Sequence, residues 1–184
     1  MRYWLMLFFS FFALGCYKTH EQQYCDCLHI YFPPSRDSED SSTASHVFID
    51  LKKLNECGKF KDKSIFVENA GRRIELFFGE NIDNLENEFD ELMGPVERES
   101  YGPSYHPSRP IQKDKKAVHL HSNNSFSFYT DTAGNLISVN FWTSGIHAVD
   151  SLIISGKEIG FPATKKSFEN ILGRPDKVFK YYTQ

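Results

Sequence analysis

The stretch SLIISGKEIGFPATKKSFENILGRP, residues 151–175, decides the fold. An apolar run from Ser151 to Ile154 is followed by Gly156-Lys157-Glu158-Ile159, which together read as a hairpin. Thr164 is then a fitting N-cap for a helix, because its hydroxyl can accept from a first-turn N–H. Gly173 stops that helix by tolerating a left-handed cap, and Pro175 refuses to continue it. The same order occurs about eighty residues earlier: Ser64-Ile65-Phe66-Val67, Gly71-Arg72-Arg73-Ile74, a helix, and Gly94. The helix ends match position by position, Phe89-x-x-Leu92-Met93-Gly94 against Phe168-x-x-Ile171-Leu172-Gly173, with Pro95 and Pro175 just beyond. Two tandem ββα-type units are therefore expected, over about 64–145 and 151–184. The C-terminal unit reads as cut short, since its next strand, Val178 to Tyr182, begins just before Gln184. Such an unfinished sheet leaves an edge open to strand pairing with another chain.

Working outward, Arg73 to Phe78 pairs back on Ser64 to Val67 around Asn69-Ala70-Gly71. Asp83 makes a fair N-cap, with Glu86 three residues on as in a capping box. Leu85, Phe89, Leu92 and Met93 then recur at the spacing of one helical face. Val118 to His121, Ser125 to Thr130 and Leu136 to Thr143 read as strands. Turn chemistry from Asp131 to Asn135 joins the last two as an antiparallel hairpin. The class is α+β: an antiparallel sheet with two short helices packed on it. Residues 100–116 form a loop rich in Pro, Gly, Ser and charge, and loops of that length are usually functional or disordered. Tyr101, Tyr105 and His106 on it are candidate anchors for a protein partner, since aromatic residues are favoured at interfaces. Arg109 and the run Lys113 to Lys116 read as solvated charge.

The N-terminus carries an address. Arg2 supplies one positive charge, Tyr3 to Phe12 is apolar apart from Ser10, and Ala13-Leu14-Gly15 brings small residues to Cys16. That order is a secretory signal peptide, and its apolar run is shorter than the roughly 20 residues that span a bilayer. The tetrad Ala13-Leu14-Gly15-Cys16 resembles the lipobox of bacterial lipoproteins, which implies cleavage after Gly15 and a lipid on Cys16. Tyr17 stands where an inner-membrane retention signal would place Asp, which implies the outer membrane, facing the periplasm. Residues 16–46 read as a tether, because Pro33-Pro34 and the polar run Ser35 to Ser45 lack the apolar surface to fold. Within it, Leu28 to Phe32 could still pair as an edge strand. Val47 to Lys53 suits a strand or a helical turn, and the globular domain is expected over 47–184.

Loss of residues 1–15 removes one of 21 basic residues and none of 24 acidic ones, so the net charge becomes −4. No basic stripe appears, which argues against nucleic acid as a partner. Seventeen Phe and nine Tyr leave ample material for a core. In an oxidising compartment, Cys57 is expected to pair with Cys25 or Cys27, leaving one thiol over. A zinc site at Cys25-Asp26-Cys27-Leu28-His29 is disfavoured, because zinc prefers wider cysteine spacing and four ligands. His119 and His121 could share one face of a strand, with a third metal ligand from His106, His147 or Asp131. The polar side of a half-buried strand explains them better. No Gly-x-Ser-x-Gly elbow is present. Glu86, Glu88, Asp90 and Glu91 lie mainly off the apolar helix face, and Gly71-Arg72-Arg73 is hairpin chemistry. No enzyme activity, metal or cofactor is expected.

The strand, Ile159-Gly160-Phe161-Pro162-x-Thr164, a short helix and Ile171-Leu172-Gly173-x-Pro175 resemble the repeat of small envelope lipoproteins of the SmpA/OmlA (BamE-like) type. The resemblance covers about residues 64–184. It implies the fold shared with β-lactamase inhibitor protein, in which helices pack on an antiparallel sheet. Tandem forms of the unit occur among proposed immunity lipoproteins of secretion systems. The resemblance thus implies an immunity protein that neutralises a toxin effector, with an outer-membrane assembly scaffold as the alternative; an envelope metal-binding protein using the histidines stands behind both. It carries no binding residue onto this chain, and the proline-rich insert departs from the compact repeat.

Overall fold

A computed structural model describes residues 17–33, 43–93, 96–100, 118–122, 126–143 and 149–183. The first strands are β1 (Tyr17–Tyr24), β2 (Leu28–Phe32) and β3 (His46–Asp50), followed by helix α1 (Leu51–Glu56). Next come the hairpin β4 (Ser64–Asn69) and β5 (Arg72–Phe77), helix α2 (Ile82–Met93), and strands β6 (Val96–Ser100), β7 (Val118–Ser122), β8 (Phe126–Thr130) and β9 (Leu136–Trp142). The chain continues through β10 (Ser151–Ile154), β11 (Lys157–Gly160), helix α3 (Lys165–Leu172) and β12 (Lys177–Thr183). An eight-stranded sheet runs in the order β12-β1-β2-β3-β9-β8-β7-β6, and a four-stranded sheet in the order β11-β10-β4-β5. Every pairing is antiparallel. The protein is α+β, as its residue patterns imply.

Local chemistry accounts for the elements. The β4–β5 hairpin turns on Ala70 and Gly71, at φ 51° and 75°, and β10–β11 on Ser155 and Gly156, at φ 50° and 70°. Two successive left-handed residues suit the right-handed twist of the flanking strands. Thr164 caps α3, its Oγ1 accepting from the Ser167 N–H at 3.2 Å. Helix α2 starts one residue before Asp83, and the Asn81 side chain accepts from the Asp83 N–H at 3.0 Å. Asn81 therefore takes the capping place expected of Asp83, because the chain arrives at the helix already paired with Asn135. Val47 to Lys53 holds both of the structures it suited: β3 ends at Asp50, whose carboxylate accepts from the Lys53 N–H at 2.9 Å and opens α1. Burial raises the Asp50 carboxyl above the ordinary range, against the lowering effect of that hydrogen bond.

One hydrophobic core joins the inward rows of both sheets to the apolar faces of the helices. Phe89 of α2 packs on Phe126 and Phe128, with ring centroids 4.9 and 4.5 Å away. Phe168 of α3 meets Phe32 and Phe161, each at 6.2 Å. The β5–α2 link pairs with the start of β9 through Asn81 and Asn135, and the β11–α3 link pairs ahead of β3 through Thr43 and Thr164.

Residues 17–33 are not a tether. Strand β1 lies between β12 and β2, and Leu28, Ile30 and Phe32 are core residues of an interior strand rather than an edge. The expectation failed because Glu21, Gln22 and Gln23 read as solvated, yet all three are buried by pairing on both sides. By the same pairing β12 does not await another chain on its inner side; Tyr17 to Gln23 occupy that edge.

Candidate functional site

In an antiparallel sheet, directly opposed residues project to the same face. The face of the eight-stranded sheet opposite the core is built from such rows. One row runs Phe179, Glu21, Tyr31, His46, Trp142 across β12, β1, β2, β3 and β9. The Tyr31 and His46 rings stack at 4.1 Å, and His46 meets Trp142 at 5.0 Å. Trp142 is 39% exposed and Phe179 36%, a large share for apolar rings. The next row runs Gln23, His29, Phe48, Asn140, Ser127, with His29 edge-on to Phe48 at 5.9 Å. A third places Asp50, Ser138 and Tyr129 side by side.

This face is polar where it is deepest. Glu21 is buried and ion-paired to His29 Nδ1, and Gln23 Nε2 bonds to Asp26. Ser138 has no exposed surface and Asn140 has 7%, yet Ser138 Oγ and Asn140 Oδ1 have no hydrogen-bond partner. Buried polar atoms are nearly always bonded, so an unpaired pair in neighbouring rows calls for a reason. Thr143, equally buried, shows the ordinary case: its Oγ1 donates to the Ala44 carbonyl at 2.9 Å. Exposed aromatic rings can anchor a partner, whereas the Ser138 and Asn140 atoms lie beneath the surface. The Ser45 hydroxyl donates to the Tyr31 carbonyl at 3.1 Å and lies 3.2 Å from His46 Nδ1.

A further cluster lies where the β1–β2 turn meets the end of α1. Cys25, Cys27 and Cys57 bring their sulfurs within 4.8 Å of one another, and all three are free thiols. Cys25 and Asp26 turn the chain at φ 59° and 48°, a conformation that non-glycine residues adopt at a cost. Cys57 is the C-cap of α1. Lys63 Nζ donates to the carbonyls of Cys57 at 2.7 Å, Phe60 at 3.0 Å and Leu54 at 3.4 Å, setting a cation at that helix end. Lys59 Nζ bonds to Asp176 at 2.8 Å and to the Arg174 carbonyl at 2.9 Å. Burial pushes the Cys57 thiol up, but hydrogen bonds from Cys25, the Lys59 N–H, Cys27 and the Phe60 N–H outweigh it, and the net direction is down. Cys25 is pushed up by its bond to Cys57 and then by burial; Cys27 is pushed up by burial first. Of the three thiols, Cys57 is thus the one whose ionisation its neighbours favour, with the other two as donors to it.

Of the residues singled out in the sequence, Cys16, Tyr101, Tyr105, His106 and His147 lie outside the described residues. His119 and His121 hold the register positions opposite Tyr129 and Ser127. Asp131 is committed to its own turn, accepting from the Ala133 N–H at 2.8 Å and from the Asn135 N–H and side-chain amide at 2.9 Å each. Glu88, Asp90 and Glu91 are exposed on α2, and Glu91 pairs with Arg72. The row Tyr31, His46, Trp142 was missed. Its signal was the alternation of apolar and polar residues in 28–32 and 46–50, discounted because the first segment was assigned to a tether. No family model, curated protein or solved structure matches the chain.

Proposed function

We propose that the protein is an outer-membrane lipoprotein, anchored through Cys16 and facing the periplasm, that binds a protein partner on the face bearing Tyr31, His46 and Trp142. The most specific form of this reading is an immunity protein that neutralises a toxin effector. The observation that carries binding is the outward row in which Trp142 and Phe179 are exposed, with the half-buried Tyr31 and His46 rings between them. A folded partner would cover the exposed rings and take them out of water. The envelope address rests on the order of charge, apolar run and small residues before Cys16. No helix among the described residues is long and apolar enough to cross a membrane. The immunity assignment rests on the resemblance to tandem-unit envelope lipoproteins.

The finer architecture belongs to the same reading: two related units, the C-terminal one completed by the N-terminal strands. Twin left-handed turns support it, as do the twin links at Asn81 and Thr164. So does the sheet order, in which β1-β2-β3, flanked by β12, and β6-β7-β8-β9 run as two meanders meeting at β3 and β9.

The test is affinity capture from host envelope extract with the wild-type protein and with Trp142→Ala. The expected result is one effector-like protein held by the wild type and lost by the variant at unchanged melting temperature. Equal retention by both would remove this face from the interface, and capture of resident outer-membrane proteins would favour the scaffold. Cys16→Ala should leave the membrane fraction; persistence there would end the lipid-anchor reading.

A further inference from the structure

We propose that Cys25, Cys27 and Cys57 form a three-thiolate site for a soft monovalent cation of the copper(I) class. The inference stands apart from the partner-binding face and does not depend on it. Three sulfurs mutually within 4.8 Å is the arrangement a single ion can bridge. With metal–sulfur bonds of about 2.3 Å, a trigonal site sets its sulfurs about 4.0 Å apart, inside that bound. The three arise from two separate parts of the chain. Cys25 and Cys27 flank Asp26 in the β1–β2 turn, and α1 delivers Cys57 to them. The left-handed backbone at Cys25 and Asp26 is a local cost at the site itself, of the kind that gathers at ligand clamps.

A disulfide uses two sulfurs and leaves the third thiol against the bond, where exchange between pairings is open. An ion uses all three. Thiolate donors select copper(I), zinc or iron–sulfur clusters. Structural zinc takes four ligands in a tetrahedron, and among the described residues only these three cysteines form such a group. The nearby Asp176 carboxylate is held by Lys59 instead. A three-coordinate monovalent ion needs no fourth ligand.

The surroundings fit the charge. Three thiolates around a monovalent ion carry two negative charges; the Lys63 ammonium on the Cys57 carbonyl offsets part of them, while Lys59 is taken up by Asp176. Cys27 and Cys57 are buried while Cys25 is half-buried, so the ion would be delivered from the Cys25 side. Binding displaces the proton of every ligand thiol that carries one, three at most, and no redox step is involved.

The experiment uses the full chain with Cys16→Ala in detergent, so that only these three cysteines remain. The protein is isolated, reduced, and titrated with copper(I) without oxygen against a chromophoric copper(I) chelator, with zinc in parallel. One copper(I) per chain should leave the chelator, with thiolate-to-copper charge-transfer absorption in the ultraviolet and a raised melting temperature. Cys57→Ser should weaken binding by about tenfold or more, since even supporting residues around a metal cost that much. If Cys57→Ser does not fold, Cys25→Ser, at the half-buried turn position, should do the same. No withdrawal of copper from the chelator, binding unchanged in the folded serine variant, or zinc held more tightly than copper(I) would each overturn the proposal. So would a disulfide at Cys57 in the protein isolated from cells without reduction.

Discussion

Replacing Ser138 by alanine should make the free protein more stable. Ser138 sits in β9 between Asp50 of β3 and Tyr129 of β8, has no exposed surface, and its hydroxyl has no partner. A buried polar group left unpaired costs about 1–3 kcal/mol of desolvation. Removing the oxygen leaves a void of roughly one atom, whose penalty takes back part of that gain. A net stabilisation of about 1 kcal/mol is expected, which in a chain of this size raises the melting temperature by about 2–4 °C. Thr143→Val is the paired control. Thr143 is equally buried, but its hydroxyl donates to the Ala44 carbonyl, so its loss strands an acceptor and should cost about 1–2 kcal/mol. Both are measured by thermal and urea unfolding of the variants beside the wild type. Destabilisation by Ser138→Ala as large as that of Thr143→Val would mean that the hydroxyl is satisfied in solution, and the reasoning about this face would fail.

Two further outcomes follow from local geometry. The carboxyl of Asp131 is held below the usual carboxylate range by the Asn135 side-chain amide and then by the Asn135 N–H. Its contribution is present above the unfolded value of about 3.9 and is lost as pH falls through the lower folded value. Asp131→Asn should therefore flatten the fall in stability below about pH 4; an unchanged acid slope in pH-dependent urea titrations would refute this. Ala70 occupies a left-handed position beside Gly71 in the β4–β5 turn. Ala70→Asn should stabilise by up to about 1 kcal/mol, because asparagine tolerates that backbone and the pair Asn-Gly is favoured there. A lower melting temperature would show that the turn takes another form in solution.

What was legible in the sequence was what local chemistry decides. The β4–β5 and β8–β9 hairpins have turn residues at their tips, and α2 and α3 carry an apolar face and, for α3, its Thr164 cap. These needed no knowledge of distant residues. The candidate site was illegible for the opposite reason. Tyr31, His46 and Trp142 belong to three strands, and only the register of β2, β3 and β9 brings them into one row. The cysteine cluster is intermediate: its members stand out in the sequence, but their meeting depends on α1 being long enough to set Cys57 against the β1–β2 turn.

The two largest misreadings were halves of one error. Residues 17–24 are too polar to suggest a folded segment, and Val178 to Tyr182 reads as a strand without a neighbour. Each supplies what the other lacks. Strand β12 pairs with β1 from Tyr17–Thr183 to Gln23–Lys177, and β2 closes on the opposite side of β1. Pairing on both sides satisfies the backbone of a segment whose side chains alone would not bury it. Glu21, Gln22 and Gln23 then need partners of their own, and find them in His29, in Tyr24 and Glu169, and in Asp26. Hydropathy measures each side chain against water and so cannot register a polar strand held from both sides. A sheet whose first and last described strands are neighbours is the case in which that omission costs most, because the β1–β12 contacts join opposite ends of the described chain.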